Sequence, residues 1–314
     1  MYESYWGLRE RPFELTSNAH FLLLTHTHLE ALSNLEYGAA TMRGVTLLIG
    51  EAGTGKTTVL RKAFVTPERS DRPMTCALVE NPALTRHEFF QIVGEPFGID
   101  AAVARNKTRF LAELRKSLLA KRAAGENCVV VIDEAQSLPM ELFEEVRLLG
   151  NMESATERLL AFVLAGQPEL ASRLALPALQ PLKQRIGLRH TLAPLTQDET
   201  AAYIAGRIKL AGGEPSRLFS REAVAAVYMV SRGLPRTISV VCDNALLSAF
   251  AVGRERVDRQ TVEAVAADFE LTARCSDEPS EEATNVRVFP SPASKPAWRN
   301  VVARHLSRTA RRVQ

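Results

Sequence analysis

The chain has 314 residues, of which 46% are apolar and 24% charged, and a net charge of +3. That balance is that of a soluble globular protein, and the length suits two domains or one domain with appendages and can bury a large core. No uninterrupted apolar run approaches the length that crosses a bilayer. The start, Met1-Tyr2-Glu3-Ser4-Tyr5-Trp6, has no basic patch followed by an apolar stretch, so no secretory signal is visible. Four scattered cysteines (Cys76, Cys128, Cys242 and Cys275) form no Cys-x-x-Cys pair, which suits unpaired thiols in a reduced compartment. Residues 272–314 carry eight Lys/Arg against four Asp/Glu, a balance of +4, leaving −1 for residues 1–271. The body is thus near neutral, and charge alone gives it no general nucleic-acid footprint.

In chain order, residues 1–44 hold an N-terminal segment and a helix. Pro12-Phe13 and Phe21 to Leu24 are apolar; from His28 on, Leu29, Leu32, Leu35 and Ala39 recur at helical spacing. Strands are expected at Val45–Ile49, Thr75–Val79, Val129–Ile132, Leu160–Leu164 and Leu188–Leu192, the last alternating rather than apolar throughout. Helices lie between them. Phe110, Leu114 and Leu118 mark one; Leu142, Phe143, Val146 and Leu149 mark another, with Pro139 near its start. Apolar strands separated by helices predict a parallel sheet covered on both faces, over residues 45–195. The charges Arg115-Lys116 and Lys121-Arg122 read as a solvated helix face.

Residues 196–271 read as helices only. Thr196, Ser220 and Asp258 are expected N-caps, Gly212-Gly213 a helix stop, and Gly233-Leu234-Pro235 the opening of a further helix. Residues 272–296 are rich in Ser, Pro, Glu and Ala and read as a disordered linker. In 297–314, Trp298, Val302, Leu306 and Ala310 fall four apart among arginines. This is either a basic amphipathic helix for an anionic membrane or a partner, or a basic end with no role.

Gly50-Glu51-Ala52-Gly53-Thr54-Gly55-Lys56-Thr57 closes the first strand, and a helical stretch opens at Thr58. This is G-x-x-x-x-G-K-[ST] in a strand–loop–helix context, a phosphate-binding loop rather than a bare glycine turn. Glycines allow successive N–H groups to face one phosphate chain, and the helix N-terminus adds favourable dipole. Lys56 can reach the β- and γ-phosphates and Thr57 can ligate Mg²⁺.

The apolar run Val129 to Ile132 ends in Asp133-Glu134, 77 residues after Lys56. Carboxylates at that strand end suit Mg²⁺ at Asp133 and the attacking water at Glu134. Gln167, after the fourth strand, can hydrogen-bond the γ-phosphate or the water; the alternative is an ordinary strand-terminal turn. Arg185 and Arg189 flank the fifth strand and Arg236 follows Pro235. Each can neutralise charge on a transferring phosphoryl group, or serve only as a structural ion pair.

Taken together, Gly50–Thr57, Asp133–Gln136, Gly166–Leu170, Gln184–Ile186 and Gly233–Arg236, with Tyr5-Trp6-Gly7-Leu8 and Arg11-Pro12-Phe13, resemble the ExeA/GspA-type family of AAA+ ATPases over about residues 1–271. That family has relatives in type II secretion, mannose-sensitive pilus biogenesis and exosortase-linked exopolysaccharide loci. The resemblance implies an α/β P-loop NTPase of the AAA+ class, with a five-stranded parallel sheet and an all-helical lid at 196–271. It implies ATP and Mg²⁺ as ligands. Gly50 to Thr58 would bind nucleotide, Thr57 and Asp133 the metal, and Glu134 the water. Gln167 would stand at the sensor-1 position and Arg236 at sensor 2. Arg185, then Arg189, would be the finger supplied in trans, and Asn81 would restrain Glu134.

The implied partners are other copies of the chain and envelope or surface-assembly proteins. The implied location is cytoplasmic, with the tail as a candidate for peripheral contact with the inner membrane. Secretion members carry a transmembrane segment and a peptidoglycan-binding domain after the ATPase. Neither is visible in this sequence, which fits the shorter pilus-type or exopolysaccharide-type members better. A DNA-transaction helper, similar to transposition ATPases, and a slow nucleotide switch remain the alternatives.

Overall fold

The computed structural model describes residues 2–14, 24–65, 73–154 and 157–271. Cys275, the 272–296 linker, the 297–314 tail and most of the Phe21–Leu24 run lie outside them.

Five strands form one parallel sheet: β1 (Val45–Gly50), β2 (Met74–Val79), β3 (Asn127–Ile132), β4 (Ala161–Gly166) and β5 (Ile186–Leu192), in the order β2-β3-β4-β1-β5. The three interior strands β1, β3 and β4 are buried at every position. Their apolar character has a simple cause: both faces are covered by helices. At the edge, β5 alternates half-buried and exposed positions up to buried Leu192, which explains its alternating sequence.

On one face, Val45, Leu47 and Ile49 of β1 join Val130 and Ile132 of β3 and Phe162 and Leu164 of β4. They pack under α3 (Arg86–Gly94), α4 (Lys107–Ala123), α5 (Met140–Leu149) and α6 (Pro168–Leu174), where Phe90 stacks on Phe110 at 4.4 Å. On the other face, Leu48, Val129, Val131 and Val163 meet α1 (His26–Ala40) and α2 (Lys56–Phe64) through Leu32, Leu35, Val59 and Leu60. The strict alternation between faces is the period-two geometry of a strand. A single turn, α7 (Gln180–Lys183), precedes β5.

From Gln197 on, the described chain is helical: α8 (Gln197–Leu210), α9 (Pro215–Leu218), α10 (Arg221–Ser231), α11 (Pro235–Ala251) and α12 (Arg259–Asp268). The starts are set by side chains. Thr196 makes a reciprocal capping box with Glu199, Ser220 accepts from the Ala223 N–H, and Asp258 accepts from the Thr261 N–H.

The first residues depart from the sequence reading, which grouped 1–44 together. Tyr2, Trp6, Leu8 and Phe13 are buried in the core of the helical module, whereas α1 lies on the sheet. Trp6 Nε1 donates to Leu246 O (3.3 Å), Tyr5 hydroxyl to Arg254 O (2.9 Å) and Tyr2 hydroxyl to the Asp243 carboxylate. Buried Arg207 donates to Pro12 O (2.5 Å) and Glu14 O (3.0 Å). Tyr2 and Trp6 thus bury their rings and still satisfy the one polar atom that each carries.

The sheet and the helical module meet at a tight junction. Leu195 N–H donates to Gly233 O (2.8 Å), and a Cβ at Gly233, whose φ is +75°, would lie 2.0 Å from Leu195 O. Gly233→Ala is expected to cost at least about 2 kcal/mol, combining left-handed strain with a backbone clash. Urea unfolding checks this; an unchanged midpoint would show that the junction yields freely.

Candidate functional site

The strand order places the C-terminal ends of β3, β4 and β1 side by side, and each end carries a polar element. In open α/β sheets this is where ligands bind. At β1, the chain leaves Gly50 and enters α2 through a loop in which Gly53 (φ +82°) and Gly55 (φ +96°) hold left-handed conformations; Gly55 is the α2 N-cap. Glycine adopts these angles without a Cβ penalty. Lys56 is only 4% exposed, and its ammonium donates to Gly50 O (2.9 Å) and Glu51 O (3.0 Å). Burial pushes the Lys56 pKa down, and the Glu134, Asp133 and Glu169 carboxylates oppose that shift. A phosphate would offer the ammonium a charge-assisted bond stronger than those to neutral carbonyls.

At β3, four fully buried residues, Val129 to Ile132, precede Asp133. Each contributes about 1.5–3 kcal/mol by burial, an anchorage that holds a carboxylate only 4% exposed at the strand end. The Thr57 hydroxyl donates to Asp133 Oδ2 at 2.5 Å. Two hard oxygens from different elements thus face one another. Among the described residues there is no group of three His, Cys, Asp or Glu able to hold a metal. The donor set fits Mg²⁺, which commonly takes one or two protein oxygens and completes its shell with water and substrate phosphate, rather than a metal that needs a protein cage.

Glu134 is held in the left-handed region (φ +48°, ψ +37°), uncommon for a residue with a Cβ. Its N–H donates to Asp133 Oδ1 (2.9 Å). Its Oε2 accepts from Gln136 Nε2 (2.5 Å) and from Gln167 Nε2 (3.2 Å). The Gln136 amide oxygen in turn accepts the Gln167 N–H (3.1 Å), and the Gln136 carbonyl accepts from Arg173. Gly166 makes room for this: a Cβ there would lie 2.7 Å from Gln136 Oε1. Burial raises the Glu134 pKa, but the two amides and the Lys56 charge outweigh it, and the carboxyl titrates below its ordinary value.

The structure brings Lys56, Thr57, Asp133, Glu134 and Gln167 together. Arg236 joins them from the helical module: its N–H donates to Gly53 O (3.3 Å), and its Cβ lies 3.0 Å from where a Gly53 Cβ would stand. Glu51, Ala52 and Thr58 are exposed on the loop and first turn.

Three residues lie apart. Arg185 precedes β5 at the opposite end of the sheet and donates to Gly150 O (3.1 Å). Arg189 is exposed on the edge strand, in register with Leu47. Asn81, expected to restrain Glu134, is exposed, and its side chain accepts the Ala83 N–H (3.3 Å) in its own turn. The amides on Glu134 are those of Gln136 and Gln167 instead. Gln136 and Arg173 were not assigned from sequence. The signal for Gln136 was present: an amide two residues after Glu134 can fold back within the same turn. Arg173 left none, because it acts through a backbone carbonyl 37 residues away.

Residues 40–174 match a family model described as an AAA domain. Over 257 residues, 82% of this chain, the sequence is 37% identical to general secretion pathway protein A of Aeromonas hydrophila. This chain carries an AAA+ ATPase domain of the ExeA/GspA type. The match covers 46% of that secretion protein, so this chain spans under half of its length. The AAA+ fold is also that of the Aeropyrum pernix ORC1 protein in complex with DNA (TM-score 0.60, 20% identity, 84% of this chain and 70% of that one). Cdc6p from Pyrobaculum aerophilum is similar at TM-score 0.59 and 15% identity, over 82% of this chain and 70% of that one. At these identities the likeness speaks for the fold alone.

The amides around Glu134 predict a pH effect. A carboxyl with a lowered folded pKa stabilises the fold above the ordinary carboxylate range, and that contribution is lost as pH falls through the lowered value. Gln136→Leu removes the shorter of the two bonds that lower it, so the Glu134 midpoint should move up. Carbon-13 NMR of the side-chain carboxyls would show this; an unmoved midpoint would mean that Gln136 does not hold Glu134.

Proposed function

We propose that this chain binds ATP with magnesium and hydrolyses it within a homo-oligomer, to drive the assembly or regulation of an envelope or surface system such as secretion, a pilus or exopolysaccharide. The observation that carries the chemistry is the convergence of Lys56, Thr57, Asp133 and Glu134 from the ends of β1 and β3, with Thr57 and Asp133 in direct contact at 2.5 Å. The likeness of 82% of the chain to general secretion pathway protein A supports the envelope role.

In this reading the loop N–H groups and Lys56 take the β- and γ-phosphates, and Thr57 and Asp133 hold the metal. When bound, Mg²⁺ neutralises charge on the phosphate oxygens. Glu134, ionised at neutral pH, accepts a hydrogen bond from water and aims it at the γ-phosphorus. A bond forms from the water oxygen to phosphorus as the bond to the β–γ bridging oxygen breaks, giving ADP and inorganic phosphate. Gln167 sits beside this water, and Arg236 reports nucleotide to the helical lid. Arg185 is turned away from the loop of its own subunit, which suits a finger offered to a neighbouring subunit, with Arg189 second. Among the described residues no helix is long and apolar enough to cross a membrane. We place the activity in the cytoplasm, with the 297–314 tail as the means of peripheral contact with the inner membrane.

One observation favours a slower variant of the same activity. Both amides on Glu134 occupy the same oxygen, an arrangement that suits a resting state with low turnover until a partner binds, as in a nucleotide switch.

Lys56→Ala should weaken ATP binding at least about a hundredfold, the scale of losing a buried charge-assisted contact, while circular dichroism stays unchanged. Tight ATP binding by that variant, measured by calorimetry, would remove the loop from the account. Glu134→Gln should bind ATP but lose at least about a hundredfold in turnover. Mixing it with Arg185→Ala should restore part of the activity, since each supplies what the other lacks. Unchanged turnover would end the water-aiming role, and failure to complement would end the in-trans role of Arg185.

A further inference from the structure

We infer that His28, on the first turn of α1, is a positioning residue for the phosphate loop: it fixes the Thr54 carbonyl and thereby aims the Gly55 N–H at bound phosphate. The inference rests on the nucleotide-binding reading above.

The His28 ring is 4% exposed and both its nitrogens are engaged. Nε2 lies 2.9 Å from Thr54 O, and Nδ1 lies 2.7 Å from Thr25 Oγ1. A carbonyl oxygen can only accept, so Nε2 carries the proton. Nδ1 of the neutral ring is then the acceptor of a hydrogen bond from the Thr25 hydroxyl. Burial pushes the His28 pKa down, more than the Thr54 carbonyl and Glu199 raise it, which keeps the ring in this neutral form.

Thr25 bears independently on the same arrangement. It occupies the N-cap position of α1 with extended backbone (φ −74°, ψ 174°), yet its side chain makes no cap hydrogen bond. The usual use of a threonine here is to cap the helix. Its hydroxyl instead donates to His28 Nδ1, satisfying the nitrogen that the Thr54 contact leaves unprotonated.

The loop side is equally constrained. A Cβ at Gly55 would lie 2.8 Å from His28 Nε2, so the imidazole is flush against the backbone. In a planar trans peptide the C=O and the following N–H point in opposite directions. Drawing the Thr54 carbonyl onto α1 therefore turns the Gly55 N–H to the far side of the loop. An anion-binding nest needs its N–H groups on that side. Without the anchor, the peptide between Thr54 and Gly55 can rotate, because glycine permits many backbone angles. The fixed peptide is set before any ligand arrives, so its ordering is not charged against binding.

Three variants and calorimetry with ADP test this. His28→Leu fills the space without a donor, and ADP binding should weaken about tenfold, the scale of one hydrogen bond and the ordering it imposes. His28→Gln can place an amide N–H where Nε2 stood and should recover most of the affinity. A packing role alone would not produce that order, since leucine fills a buried site at least as well as glutamine. Thr25→Val keeps the ring but leaves buried Nδ1 without a donor, which loosens the ring's hold on Thr54; a loss of about threefold is expected, even if His28→Leu does not fold. Wild-type ADP affinity in Thr25→Val or His28→Leu, or no recovery in His28→Gln, overturns the inference. Absence of ADP binding by the unaltered chain would instead overturn the proposed function.

Discussion

The contact between Thr57 and Asp133 is the point on which the site depends, because it joins two elements that the chain delivers separately. Thr57 belongs to the helix that follows β1; Asp133 ends β3, with β4 lying between the two strands. Parallel order alone makes this possible, since it sends all three strand ends to one edge of the sheet. The buried apolar residues of β3 hold Asp133 against the tendency of a carboxylate to seek water, and the hydroxyl satisfies it there.

Around that contact, conformational freedom is removed from several sides. Gly53 and Gly55 supply angles that other residues resist, Arg236 closes on Gly53 from the helical module, and His28 closes on Thr54 from α1. Glu134 is restrained twice, by a left-handed backbone and by two amides on one oxygen. Such restraint is a property of sites where geometry matters more than local ease of folding. The module that supplies Arg236 is itself braced by Gly233 against Leu195, so the position of the arginine backbone follows from the junction between sheet and helices.

Much of this was legible in the residues. Val45 to Ile49 and Val129 to Ile132 announce interior strands because burial on both faces leaves no place for polar side chains. Thr196, Ser220 and Asp258 mark helix starts because capping is a local transaction between neighbours in sequence. The loop glycines and Lys56 form a pattern for the same reason. What was not legible involves distant partners. Tyr2 and Trp6 sit more than 200 residues from the helices that bury them, and no periodicity in a short aromatic segment names its partner. The amides on Glu134 belonged to the same class: Gln167 is 33 residues away, while Asn81, nearer the expected place, spends its oxygen on its own turn. His28 reads from sequence as one apolar-face position among others, and only its contacts distinguish it.

The burial of the opening segment among α8, α10, α11 and α12 also sets an order of events during synthesis. Tyr2, Trp6 and Phe13 leave the ribosome well before the surfaces that receive them, which are made from Leu195 onward. Until then, three aromatic rings have no home, and a nascent chain in that condition is prone to association with others. The helices after β5 therefore do more than extend the fold: they retire a sticky segment, and synthesis halted before them would leave the sheet domain with its aromatic rings orphaned.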